Sequence, residues 1–75
     1  MVRAYVLITI EAGKGSDIQK ALLEAGIGQV DQLAGIYDLV AVIEARDPKQ
    51  IGEFVIGTIQ KTSGVVSTVT LLTIG

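Results

Sequence analysis

Cysteine and histidine are both missing from the 75 residues. The first absence excludes disulfides and thiolate metal sites. The second removes imidazole ligands, histidine general bases and the serine or cysteine triads that depend on them. No apolar run reaches the roughly 18 residues a membrane span needs, and the N-terminus has no signal-peptide layout. A basic cluster is missing too. Arg3, Lys14, Lys20, Arg46, Lys49 and Lys61 are scattered through a chain of net charge −2. That distribution offers no phosphate footprint, so no direct contact with nucleic acid is expected. The remaining acids fit caps, strand ends and solvated faces, and no pair has a spacing suited to acid–base work. No catalytic residue, metal or cofactor is assigned. One soluble, cytoplasmic domain is expected.

What is present reads as six elements. Val2 to Ile10 is rich in β-branched residues and forms a strand. After Gly13-Lys14-Gly15, Ser16 is placed to cap a helix, with Gln19 completing a capping box. Ile18, Ala21, Leu22 and Ala25 follow at helical spacing, and Gly26 ends the run. Val30 to Leu33 is a short strand, and Leu39 to Ala45 a third, apolar on both faces. Asp47-Pro48-Lys49-Gln50 starts a second helix: aspartate caps, proline takes the first helical position and Gln50 closes a box. Ile51, Phe54, Val55, Thr58 and Ile59 line one face of that helix. Ser63-Gly64 stops it, and Val65 to Ile74 is the last strand. The order β-α-β-β-α-β predicts an α+β, ferredoxin-like fold: a four-stranded antiparallel sheet with both helices on one face.

A sheet covered on one side should alternate apolar and polar residues. Here Tyr5 and Leu7 oppose Val6 and Ile8, and Val40 and Val42 oppose Leu39, Ala41 and Ile43. In the last strand Val66 and Leu72 are read as opposing Val65, Val69 and Leu71. An exposed apolar face of this kind exceeds what monomers usually carry. Covering roughly 600 Å2 per subunit at about 25 cal/mol per Å2 gives roughly 15 kcal/mol before association costs. A homodimer packed sheet to sheet is therefore expected.

Gly35-Ile36-Tyr37-Asp38 forms the central hairpin, with glycine read as giving the turn its backbone freedom. Together with Gly64-Val65-Val66-Ser67-Thr68-Val69-Thr70, it resembles the RAM domain, the effector-binding domain of the Lrp/AsnC family. The family's patterns there are roughly G-x-Y/F-D and G-V-x-x-T-x-T, and the likeness spans the chain. The resemblance implies dimers that can build octameric or decameric rings, and a small effector, commonly an amino acid, held between subunits. It also implies the site residues: Gly35, Tyr37 and Asp38 on one wall, Thr68 and Thr70 on the other, with Asp38 accepting from the effector's ammonium group. Family regulators carry an N-terminal helix-turn-helix domain, for which no residues precede the first strand. The expectation is a stand-alone, non-enzymatic sensor that modulates transcription-related partners, such as a full-length Lrp/AsnC regulator. Two alternatives share the element order: a dimeric ferredoxin-like barrel enzyme of the small monooxygenase or isomerase type, and an ACT-like regulatory module.

Overall fold

A computed structural model describes residues Met1–Gly75. The elements in chain order are β1 (Val2–Ile10), α1 (Gly15–Glu24), β2 (Gln29–Gln32), β3 (Leu39–Ala45), α2 (Pro48–Phe54), a contiguous π-helical turn (Val55–Ile59) and β4 (Val65–Leu72). The sheet has the order β2-β3-β1-β4, and all three pairings are antiparallel. This is the ferredoxin-like arrangement the element order predicts. No helix is long and apolar enough to cross a membrane.

The core lies between the helices and one face of the sheet. Ala4, Val6 and Ile8 of β1 and Leu39, Ala41 and Ile43 of β3 point into it from below, because alternate strand residues share a face. Ile18 and Leu22 reach down from α1, and Ile51, Val55 and Ile59 from α2 and its π turn. No polar side chain is buried in this core.

The two helices begin differently. At α2 the Asp47 carboxylate accepts from the Gln50 N–H at 2.8 Å, and the Gln50 amide oxygen accepts from the Arg46 N–H at 2.8 Å. That is the expected box, reaching one residue further back. At α1 the expected Ser16 cap does not form: Lys14 is the capping residue and no side chain caps it. Gln19 turns instead to β2. Its amide donates to the Val30 carbonyl at 2.7 Å, and its oxygen accepts from Gln32 at 2.9 Å. A partner on a neighbouring strand has replaced the local one. Gly26, at φ +103°, closes α1 with both bonds of a Schellman cap: Gly26 N–H to the Leu23 carbonyl and Ile27 N–H to that of Leu22.

Three strand details differ from the sequence reading. β2 sits one residue earlier, Gln29–Gln32 rather than Val30 to Leu33. Gly35 does not adopt a left-handed conformation, so a six-residue connection, not a tight turn, joins β2 to β3. Finally, β4 carries a bulge: Thr9 pairs with Ser67 but Ile10 pairs with Val65, leaving Val66 as the extra residue. The bulge breaks the alternation read from sequence. Val65 joins Thr68, Thr70 and Leu72 on the helix face, while Val69 and Leu71 turn to the outer face with Tyr5 and Leu7.

Candidate functional site

The outer face bears a continuous apolar band. Tyr5 and Leu7 of β1 lie between Val40 and Val42 of β3 and Val69 and Leu71 of β4. Val69 is 39% exposed and Leu71 50%, so two large apolar side chains of the edge strand extend the band in the open. Arg3 and Glu44 close one end of the band with an ion pair at 3.2 Å.

The hairpin stands at the other end. Gly35 is exposed, Tyr37 and Asp38 half-buried. Asp38 is fixed by three bonds. Its backbone N–H donates to the Ile8 carbonyl at 2.9 Å, its carbonyl accepts from Leu33 at 2.8 Å, and its Oδ2 accepts from the Ile10 N–H at 2.9 Å. The carboxylate therefore serves the end of β1, with Oδ1 left without a bonded partner. Thr68 pairs with Ile8 from the far side of β1. Asp38 and Thr68 thus share one end of the sheet, two strand spacings or about 10 Å apart. Within a single protomer β1 keeps them from meeting.

Thr68 and Thr70 face the helices. Between them and α2 runs a groove of about 390 Å3, walled by Ile51, Gly52, Val55 and Ile56. Pro48 and Leu72 flank one end, and Gln60 closes the other by donating to the Thr68 hydroxyl at 3.0 Å. Thr70 makes no side-chain hydrogen bond and is exposed. The π turn carries this wall: the Gln60 N–H reaches back five residues to the Val55 carbonyl at 2.8 Å. The extra residue in that turn sets where Gln60 falls. Neither Gln60 nor the α2 wall was singled out from the sequence, since a π turn leaves no periodic mark beyond the apolar stripe.

A second cleft, of about 560 Å3, opens at the Arg3–Glu44 end, where β3 extends past β2. Gln29, Gln50 and Phe54 border it. None of the expected site residues lines it, and neither cleft is lined by Gly35, Tyr37 or Asp38. The structure therefore gathers Thr68 and Thr70 into one groove and places the hairpin triad at the same end of the sheet outside it.

No cluster of acids able to hold a metal is present. No family model matches the chain, and no curated protein matches it in sequence. Solved structures do match. TTHA0845 from Thermus thermophilus is 30% identical, with a TM-score of 0.92 over 100% of this chain and 95% of that one. E. coli AsnC superposes with a TM-score of 0.90 at 18% identity over 99% of this chain. The transcriptional regulator NMB0573 from Neisseria meningitidis, in complex with L-Met, gives 0.79 at 16% identity over 99% of this chain. The chain spans about half of those last two proteins, 51% and 50%. At such identities the likeness is one of fold.

Proposed function

The chain belongs to the same family as TTHA0845 of Thermus thermophilus and has an Lrp/AsnC-like RAM fold, and from there we propose that it is a regulatory sensor of a small molecule. The effector is an amino acid held where two subunits meet, and occupancy is read out by transcription-related partners. The observation that carries this reading is the open apolar face beside the hairpin. A second subunit packed on Tyr5, Leu7, Val69 and Leu71 covers a surface too large to leave in water. The family resemblance, rather than this packing, puts Gly35, Tyr37 and Asp38 of one protomer and Thr68 and Thr70 of another on one site, which a ligand would reach over the edge of β4 because both threonines face the helices. Asp38 keeps Oδ1 available for an ammonium group there.

A regulator of the same fold bound to L-Met supports an amino acid as the effector. The absence of a basic cluster supports action through a partner rather than through direct DNA contact. Nothing in either cleft pairs a nucleophile with a base, which favours sensing over catalysis.

The test is a thermal-shift screen of the twenty amino acids at constant protein concentration, with light scattering on the same samples. A ligand at a hundredfold excess over Kd adds about 2.7 kcal/mol to apparent stability. An amino acid that raises the melting temperature of a dimer supports the proposal. A monodisperse monomer at micromolar concentration, or no shift with any amino acid, overturns it.

A further inference from the structure

We propose that the cleft at the Arg3–Glu44 end of the sheet is a second ligand site, apart from the hairpin and from the groove beside α2, and that it takes an uncharged purine base or nucleoside. It needs no effector at the other end of the sheet and can be tested without one.

The cleft contains an unpaired piece of strand. The Leu33 N–H bonds to the Asp38 carbonyl, which sets the even-numbered residues of β3 to bond with β2. β2 begins at Gln29, opposite Val42, so Glu44, the next residue in that row, has no strand partner on that side. Its main-chain N–H and carbonyl face the cleft that Glu44 lines, one donor and one acceptor side by side. A purine carries the complementary pair along its edge, an acceptor next to an N–H donor, and such edges are read by groups of this kind.

Charge narrows the ligand further. Arg3 and Glu44 are the only charged residues lining the cleft, and they pair with each other at 3.2 Å. A phosphate entering it loses water and finds no free counter-ion, a cost that a neutral heterocycle escapes. Such a ring can use the Gln29 amide oxygen and the Gln50 amide nitrogen, since the other end of each amide is held by Asp31 and by the Arg46 N–H.

The apolar lining suits flat ring faces. Tyr5 and Phe54, two of the three aromatic residues in the chain, border the cleft, above buried Ile27, Ile43 and Ala45. Bases stack on side chains of this type. Phe54 packs against the core on the helix side, so a second subunit seated on the outer face leaves that wall open. A Cβ built on Gly26 or Gly28 meets nothing within 4 Å, and the volume of about 560 Å3 lies within the range of small-molecule sites.

Titration calorimetry of the intact protein with adenosine, guanosine, uridine and AMP tests this, alongside Gly28→Leu, Phe54→Leu and, as a control in the other groove, Gly52→Leu. Gly28 lacks a positive φ and has open space beside it, and Phe54→Leu keeps an apolar cover on the core, so both should fold; circular dichroism checks that. A purine nucleoside should bind more tightly than uridine, with AMP no tighter than adenosine. Gly28→Leu and Phe54→Leu should each weaken it about tenfold, the scale of one lost stacking contact, and Gly52→Leu should leave it unchanged. Neither purine nucleoside binding at millimolar concentration, or Gly28→Leu keeping full affinity, overturns the site. Uridine binding as well as the purines, or AMP binding about tenfold tighter than adenosine, overturns the ligand class.

Discussion

β1-α1-β2 and β3-α2-β4 repeat one order, but they finish differently. α1 ends in a complete Schellman cap and leads to a four-residue edge strand, one of whose carbonyls is covered by Gln19. α2 runs on through a π turn to an eight-residue edge strand with no charged residue. Short, polar edges resist pairing with other chains, whereas long uncharged ones invite a partner. The second half carries the groove beside α2, the longer edge and most of the exposed apolar side chains of the sheet.

The sharpest way to test this contrast is at the two glycines that end the helices. Both have positive φ, +103° at Gly26 and +96° at Gly64. A Cβ on Gly26 meets nothing, whereas one on Gly64 lies 3.0 Å from both Ile18 Cδ1 and Lys14 Cδ. Gly64 is where the second half packs onto the first. Gly26→Ala should lose about 1–2 kcal/mol, the cost of left-handed backbone. Gly64→Ala adds overpacking and should lose about 2–4 kcal/mol. Urea midpoints at equal protomer concentration give both numbers; equal losses would mean that the contact with Ile18 yields freely.

Next in size is Asp38, on the connection between the halves. Removing its carboxylate leaves the Ile10 N–H without its acceptor, and Asp38→Ala should cost about 1–3 kcal/mol with no ligand present. Asp38→Asn keeps an amide oxygen able to accept that bond and should cost less. If both variants are as stable as the parent, the carboxylate is not holding the end of β1.

A smaller effect separates the helix starts. Asp47→Ala removes a formed cap and should lose about 1 kcal/mol. Ser16→Ala removes a hydroxyl that only accepts a 3.4 Å contact from Gln32, and should change stability by less than about 0.5 kcal/mol. A loss at Ser16 matching that at Asp47 would place a cap on α1 after all.

That pair also shows what sequence can and cannot reveal. Asp47-Pro48 and Gln50 signal a helix start through groups within four residues, and the structure repeats the signal. Ser16 and Gln19 carry the same local pattern. In the fold, however, Gln19 finds the Val30 carbonyl eleven positions along, and a tertiary bond displaces the local one. Element order, the inward faces of β1 and β3 and the stripe on α2 were legible because each follows from spacing. The bulge at Val66 and the π turn each insert one residue into a regular pattern, and no residue type marks the insertion. They are also what decide the groove, turning Val65 inward and setting Gln60 against Thr68. Thr68 and Thr70, singled out by the resemblance, line that groove; the α2 residues facing them were not singled out.

The smallest effect expected is at the Arg3–Glu44 pair, which joins β1 of the first half to β3 of the second. The neighbouring Tyr5 hydroxyl and the Glu44 carboxylate raise the Arg3 pKa above its ordinary value. A raised folded pKa adds stability that is present below the unfolded value and lost only as pH climbs through the folded one. Both lie far above neutral pH for an arginine, so from pH 6 to 9 this group gives no slope. The side chains are 49% and 53% exposed, and water and salt screen the attraction. Glu44→Gln should therefore leave the urea midpoint nearly unchanged, by the same small amount at pH 6 and pH 9. A gap that widens across that window would mean the pair is buried in solution, as it would be if a second subunit covered this end of the outer face as well as the apolar band.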